Sequence, residues 1–101
     1  MVICGLLVRL EAKPGKELAV ADFLAAGLEL TNQEATTPMW FALRLSPTTF
    51  GVFDAFASEE HRQAHLAGDM AKALMSRVEE LLASPPSVEP VDILGMKNQL
   101  A

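Results

Sequence analysis

The sequence predicts one α+β domain over residues 1–101, with an antiparallel sheet that carries helices on one face and a second copy of the chain on the other. Three observations lead to this prediction: the order of strand-like and helix-like segments, the apolar character of both strand faces, and the short chain. Half of the 101 residues are hydrophobic and 21% are charged. A domain this small buries only about 60–65% of its unfolded surface, so we expect association to complete its core.

The first half of the chain predicts a strand, a turn and a helix. Residues 2–12 are rich in β-branched residues and Leu, and the turn sequence Lys-Pro-Gly follows at 13–15. A helical pattern then runs from residue 17 to about residue 33. It ends before Pro38, because the residue preceding a proline avoids helical geometry. The apolar positions predicted to form the buried stripe of this helix are Leu18, Ala21, Leu24, Ala25 and Leu28.

The second half predicts a hairpin, a broken helix and a last strand. Residues 39–45 and 50–57 have strand character and are joined by a short turn. Ser58 is a suitable N-cap for a short helix, Gly68 interrupts that helix, and Asp69 is expected to cap the next segment. An apolar stripe follows at Ala71, Leu74, Met75, Val78 and Leu81. With a final strand from residue 88 to about 97, the order is β-α-β-β-α-β, the ferredoxin-like arrangement.

The two middle strands are apolar on both faces. Trp40 and Ala42 alternate with Phe41 and Leu43, and the next strand is equally apolar on its two sides. An antiparallel sheet covered by helices on one face only should instead alternate apolar and polar residues. Without a cover, the second face would be a large exposed apolar patch. We therefore expect two sheets to pack face to face in a homodimer, forming a dimeric α+β barrel.

Charge and composition argue against several classes of partner. The net charge is −5, and the eight Lys and Arg residues are scattered, which argues against nucleic-acid binding. No apolar segment approaches the ~20 residues that a membrane helix needs, and no signal-peptide pattern is present. Cys4 is the only cysteine, which is typical of a reducing compartment such as the cytoplasm.

The residues that follow the third strand carry a family resemblance. The stretch at 52–66 reads VFDAFASEEHRQAHL, with an acidic strand residue, an aromatic residue, a capped helix and a histidine. With this stretch and the turn at 13–15, the chain resembles the antibiotic biosynthesis monooxygenase family of dimeric α+β barrels over nearly its whole length. The resemblance implies a cofactor-independent monooxygenase that uses no metal or flavin. Such an enzyme deprotonates a quinol or polyphenol, whose anion then reduces molecular oxygen.

Two histidines are candidates for the chemistry. His65 corresponds to the family's histidine, and its ordinary pKa of about 6.5 suits proton transfer near neutral pH, so we predict it to be the base. A structural hydrogen bond is the alternative role for the same residue. His61 lies four residues earlier on the same helix face, a spacing that allows a metal pair. The sequence offers no third ligand nearby, so no metal site is predicted.

Five further residues are candidates for the site. Asn32 continues the predicted stripe of the first helix and is expected to hydrogen-bond the substrate anion, unless it caps the end of the helix. Trp40 and Phe41 face opposite ways on one strand, so one is expected to line a pocket and the other the dimer core. Arg44 and Asp54 are charges within apolar strands. We expect each to be paired in a salt bridge or to have a polar role in substrate binding.

Haem degradation and a non-catalytic role are the two alternatives to the monooxygenase. Haem degradation by relatives with this barrel needs an Asn, a Trp and a His, but the corresponding positions hold Val8, His65 and Met75. That function is therefore rejected. A non-catalytic barrel that binds a small molecule or acts in stress remains open, because a fold does not determine a function.

Overall fold

The computed structural model describes residues 1–98 and contains one four-stranded antiparallel sheet with three helices. The strand order is β2-β3-β1-β4, so the predicted ferredoxin-like α+β fold is confirmed. The elements in chain order are β1 (Cys4–Glu11), α1 (Glu17–Asn32), β2 (Met39–Arg44), β3 (Thr49–Phe56), α2 (Glu59–Leu66), α3 (Asp69–Leu81) and β4 (Ser87–Asp92).

Strand β4 ends at Asp92, five residues before the predicted end of the last strand. Its neighbour in the sheet is β1, which begins only at Cys4. A final backbone hydrogen bond, from the Ile93 N–H to the Ile3 carbonyl at 2.9 Å, lies just beyond the paired strands. The ladder between β1 and β4 therefore ends at the pair formed by Cys4 and Asp92.

The start of α2 agrees with the sequence, and the start of α3 differs by one residue. The Ser58 hydroxyl accepts a hydrogen bond from the His61 backbone N–H at 3.1 Å, as a capping serine should. Asp69 is not the cap of α3 but its first residue. Gly68 occupies the cap position in extended geometry and provides no side chain to accept a hydrogen bond.

The buried stripe predicted for α1 is right at Leu24 and wrong at both ends. Leu18 is 72% exposed and Leu28 is also exposed. Gly27 explains the difference, because a Cβ added there would lie only 2.7 Å from the Met70 sulfur. The absence of a side chain lets α1 approach α3 closely, and it rotates the buried face relative to the stripe of large apolar residues. The residues of α1 that are buried are Val20, Leu24, Gly27 and Thr31.

Alternation along the strands divides the sheet into two faces. The face toward the helices holds the core, and its buried apolar residues are Cys4, Leu6, Val8, Leu10, Phe50, Val52 and Phe56. The opposite face, here called the open face, carries no helix and is apolar over β2 and β3, whereas Arg9, Glu11 and Glu89 lie on its β1–β4 side. Its apolar residues, which pair across β1, β2 and β3, are Leu7, Met39, Phe41, Leu43, Phe53 and Ala55.

None of the helices within residues 1–98 combines the length and the apolar character needed to cross a membrane.

Candidate functional site

Three ionisable side chains lie in a buried line beneath the helices. His65 Nε2 lies 3.0 Å from Asp54 Oδ2, and His65 Nδ1 lies 2.5 Å from Glu34 Oε1. Asp54 is 1% exposed and His65 is 7% exposed. We call Glu34, His65 and Asp54 the carboxylate–histidine cluster. It is the most strongly buried group of charges among the described residues.

Each member of the cluster comes from a different part of the fold. Asp54 is on the helix-facing side of β3, opposite Leu6 of β1 and Trp40 of β2. His65 is in the last turn of α2, and its ring packs against Phe56 with centroids 5.4 Å apart. The Ser58 cap fixes where α2 begins, and thereby which helix position reaches the sheet.

Glu34 lies in the loop after α1 and is held there by local hydrogen bonds. Its backbone N–H donates to the Thr31 carbonyl at 2.9 Å. Its Oε1 accepts a hydrogen bond from the Thr37 hydroxyl, also at 2.9 Å. The same hydroxyl lies 3.4 Å from His65 Nδ1. The loop therefore places a carboxylate on the side of the imidazole that faces away from Asp54.

The two carboxylates favour the charged form of His65. Burial lowers the pKa of His65, but the hydrogen bonds to Asp54 and Glu34 together outweigh it and raise the pKa above its ordinary value. Both ring nitrogens donate hydrogen bonds only in the imidazolium. With both carboxylates ionised, the cluster carries one net negative charge.

Each carboxylate of the cluster has one oxygen that accepts no hydrogen bond from the described residues. Asp54 Oδ1 and Glu34 Oε2 are buried and have no hydrogen-bond partner among the described residues. Most buried polar atoms in proteins are hydrogen-bonded, so these two oxygens are unusual and could each accept a further hydrogen bond. Asp54 is also one of the residues that line a cavity.

This cavity, of about 150 Å³, lies between the helix-facing side of the sheet and the helices. Its lining is aliphatic apart from Trp40, Asp54 and His65, and it contains no Lys or Arg. Leu66, Met75 and Val88 are lining residues that are also exposed, by 40%, 63% and 47%. They form the mouth of the cavity, beside the edge strand β4.

Three of the six residues predicted for the site lie together in this cavity. His65, Trp40 and Asp54 all line it. Asp54 forms an ion pair with His65, so the salt bridge, one of the two alternatives predicted for Asp54, is present in the structure. The roles given to these residues remain predictions.

The other three predicted residues lie elsewhere. Asn32 is exposed and does not line the cavity, because the buried face of α1 passes through its neighbour Thr31. Phe41 is on the open face, where its ring stacks on Phe53 at a centroid distance of 6.4 Å. Arg44 is exposed and makes no ion pair within the described residues. Its guanidinium donates to the Pro47 carbonyl at 2.9 Å.

A metal pair of His61 and His65 finds no support in the geometry. Both nitrogens of the His65 ring are bound to carboxylates. Over residues 1–98 no group of three or more His, Cys, Asp and Glu side chains is arranged to hold a metal ion. That the protein needs neither metal nor cofactor stays a prediction.

Glu34 and Thr37 were missed from the sequence. They lie in a loop of polar residues between α1 and β2, where nothing in the local pattern distinguishes them. One signal was available: Asp54, a charge within an apolar strand, must have a partner, and a structural hydrogen bond was one of the two roles open to His65. Which residue of the chain supplies the second carboxylate depends on the tertiary fold.

The pKa of His65 predicts how stability changes with pH. Because the folded pKa is raised, His65 contributes stability that is full below its unfolded pKa of about 6.5 and is lost as pH rises through the folded pKa. We expect the free energy of unfolding to fall with pH over that window. Denaturant titrations at a series of pH values measure it.

Glu34→Gln tests the cause of that pH dependence. It should lower the His65 pKa, read from imidazole NMR signals, and flatten the stability profile. His61→Gln is the matched control, and it also leaves His65 as the only histidine. A His65 pKa below 6.5, or one unmoved by Glu34→Gln, would contradict the assignment.

Comparison with solved structures identifies relatives. The crystal structure of NE2512, a protein of unknown function from Nitrosomonas europaea, has 55% sequence identity and a TM-score of 0.96, and the match covers 100% of this chain and 98% of that one. No protein-family model matches the chain, and neither does any curated protein.

Two more distant structures carry the name predicted from residues 52–66. A candidate antibiotic biosynthesis monooxygenase from Nitrosomonas europaea is 18% identical, with a TM-score of 0.80 and coverage of 91% of this chain and 90% of that one. An antibiotic biosynthesis monooxygenase is 15% identical, with a TM-score of 0.77 and coverage of 91% and 99%. The chain thus belongs to the family of Nitrosomonas europaea NE2512, and its fold is that of the antibiotic biosynthesis monooxygenases.

Proposed function

We propose that the protein is a cofactor-independent monooxygenase that oxidises a small quinol or related phenol with molecular oxygen. The observation that carries the proposal is the position of Asp54, which lines a largely apolar cavity beside Trp40 and has one carboxylate oxygen without a hydrogen-bond partner among the described residues. The reaction needs a base and a pocket poor in water, because a phenolate reduces oxygen more readily than a phenol. The shared fold agrees with this function.

We assign the base to Asp54 rather than to His65, the base expected from the sequence. Both ring nitrogens of His65 are engaged by carboxylates, Nε2 by Asp54 and Nδ1 by Glu34, so neither is available to take a proton from a substrate. Asp54 Oδ1 is buried and accepts no hydrogen bond from the described residues, so a substrate hydroxyl that reaches it would meet an acceptor with no competing donor. His65 then orients Asp54 through Oδ2, and Glu34 holds His65 in its charged form.

The proposed reaction balances without an external reductant. Asp54 takes the hydroxyl proton of the quinol, and the quinolate passes one electron to oxygen. The resulting radical and superoxide combine to form a carbon–oxygen bond at a ring carbon that bears hydrogen, and the peroxide anion takes the proton back from Asp54 to give a hydroperoxide. Loss of water breaks the oxygen–oxygen bond and leaves a carbonyl. In sum, one quinol and one oxygen molecule give one hydroxyquinone and one water.

Trp40 is placed to hold the ring of the substrate. It is the direct β2 neighbour of Asp54 in the sheet, and both residues line the cavity. An indole beside the carboxylate offers a flat apolar surface against which an aromatic ring can stack. This position favours a substrate ring that lies against Trp40 with one hydroxyl directed at Asp54.

We further propose that the protein acts as a homodimer in the cytoplasm. The open face carries apolar residues on three adjacent strands, including the stacked pair Phe41 and Phe53. No element of the described chain packs over this face, and the open face of a second copy would cover it with matching apolar surface. The presence of a single cysteine, Cys4, agrees with a reducing compartment.

Oxygen uptake tests the proposed reaction. The purified protein should consume one oxygen molecule for each quinol, without releasing hydrogen peroxide, and isotope-labelled oxygen should enter the product once. The dimethyl ether of the same quinol is the matched control, because it has no hydroxyl proton for Asp54 to take. Quinols that bind without any oxygen uptake would contradict the monooxygenase and support the non-catalytic binding protein.

A further inference from the structure

We infer that the cavity selects a neutral, single-ring dihydroxybenzene with an apolar substituent and rejects rings that carry an acidic group. This inference rests on the proposed function in that it concerns the same site. It follows from three features of the cavity: its volume, the sign of its charge and the composition of its mouth.

The volume limits the number of rings. A cavity of about 150 Å³ equals in size an engineered protein cavity that binds benzene. One substituted ring therefore fills the space between Trp40 and the helices. A fused three-ring polyphenol would have to leave most of its surface outside.

The charge limits the substituents. The carboxylate–histidine cluster holds two acidic side chains against one imidazole, and the cavity lining provides no Lys or Arg. Arg62, on the same helix as His65, is engaged elsewhere: it donates to the carbonyls of Gly5 and Val91 and pairs with Glu59. A carboxylate on the substrate ring would be buried beside Asp54 without a free cation to pair with, because His65 is already engaged by two carboxylates, and this is strongly unfavourable.

The mouth determines where a substituent lies. Leu66, Met75 and Val88 are apolar, partly exposed and arranged around the opening. An alkyl chain on the ring would run outward between them and bury their exposed surface. Each methylene that is fully buried strengthens binding by up to about fourfold, so a chain of several carbons should add clearly to the affinity.

Trp40 provides the measurement. It is the only tryptophan of the chain and lines the cavity, so its fluorescence reports on occupancy. Titrations without oxygen avoid turnover. We expect a pentyl-substituted hydroquinone to bind at least about tenfold more tightly than methylhydroquinone. Gentisate, the carboxylate of the same dihydroxy ring, should bind at least about tenfold more weakly than methylhydroquinone.

Met75→Lys should reverse this order of preference, because it places a cation at the mouth and removes apolar surface. We expect tighter binding of gentisate and weaker binding of the pentyl compound. Leu18→Lys is the matched control, since it adds the same charge at an exposed position of α1 that does not line the cavity. It should leave all three affinities unchanged.

Two results would overturn the inference: gentisate binding to the unaltered protein as tightly as methylhydroquinone, or a ratio of affinities that Met75→Lys does not change. The outcome is separable from that of the proposed function. Selective binding without oxygen uptake would uphold the ligand class and remove the monooxygenase. Oxygen uptake with gentisate as readily as with methylhydroquinone would do the opposite.

Discussion

Replacing Asp54 by asparagine is expected to lower the turnover of a quinol by about 10²–10⁴-fold, the usual loss when a positioned base is removed. Asparagine keeps the shape of the side chain, and its carbonyl can still accept the hydrogen bond from His65 Nε2. It cannot take a proton from the substrate. The measurement is kcat at saturating quinol, together with the melting temperature to show that the variant is folded.

The pH profile of the same variant gives a sharper test. A phenol ionises unaided near pH 10, so the loss in Asp54→Asn should shrink as pH rises toward that value. Asp22→Asn is the matched control, because Asp22 is exposed on α1 and does not line the cavity. Full activity in Asp54→Asn, or a loss that is equal at all pH values, would remove Asp54 as the base.

Replacing Phe53 by aspartate is expected to convert the proposed dimer into a monomer. Phe53 lies near the middle of the open face, paired with Leu7 on one side and with Phe41 on the other. A carboxylate there would be buried without a partner between two apolar sheets, which costs several kcal/mol. Sedimentation at micromolar concentration should show a dimer for the unaltered protein and a monomer for the variant.

Circular dichroism separates dissociation from unfolding, because a folded monomer keeps the spectrum of the sheet and helices. Leu18→Asp introduces the same charge at an exposed apolar position on α1 and should leave the dimer intact. A dimeric Phe53→Asp variant would show that the open face is not the interface. A folded monomer of the unaltered protein would remove the argument for a dimer altogether.

The parts of the fold predicted well are those with strong local signals. Alternation along β2 placed Trp40 and Phe41 on opposite sides of the sheet, as the structure has them, whereas the pairing of Trp40 with Asp54 comes from the structure. The Ser58 cap gave the start of α2 and thus the position of His65. These signals act over a few residues, so they can be read from the chain without knowledge of its tertiary structure.

The parts that could not be predicted depend on contacts between distant segments. The buried face of α1 includes Gly27, which packs against the Met70 side chain of α3. A prediction based on the large apolar residues alone misses this glycine, and it therefore places Asn32 on the buried face, where the structure has Thr31. Glu34 reaches His65 from a loop 31 residues earlier in the chain. The charge state of His65, and with it the choice of base, depends on that contact.

Because side chains alternate along β3, changes in this strand affect the cavity and the open face together. Asp54 lies between Phe53 and Ala55, so one strand presents the cavity carboxylate on one side and the apolar surface on the other. Inserting or deleting one residue in this strand would turn the side chains that follow the change to the opposite face of the sheet. Relatives can therefore diverge here by substitution, but a change of strand length would abolish cavity and assembly surface together.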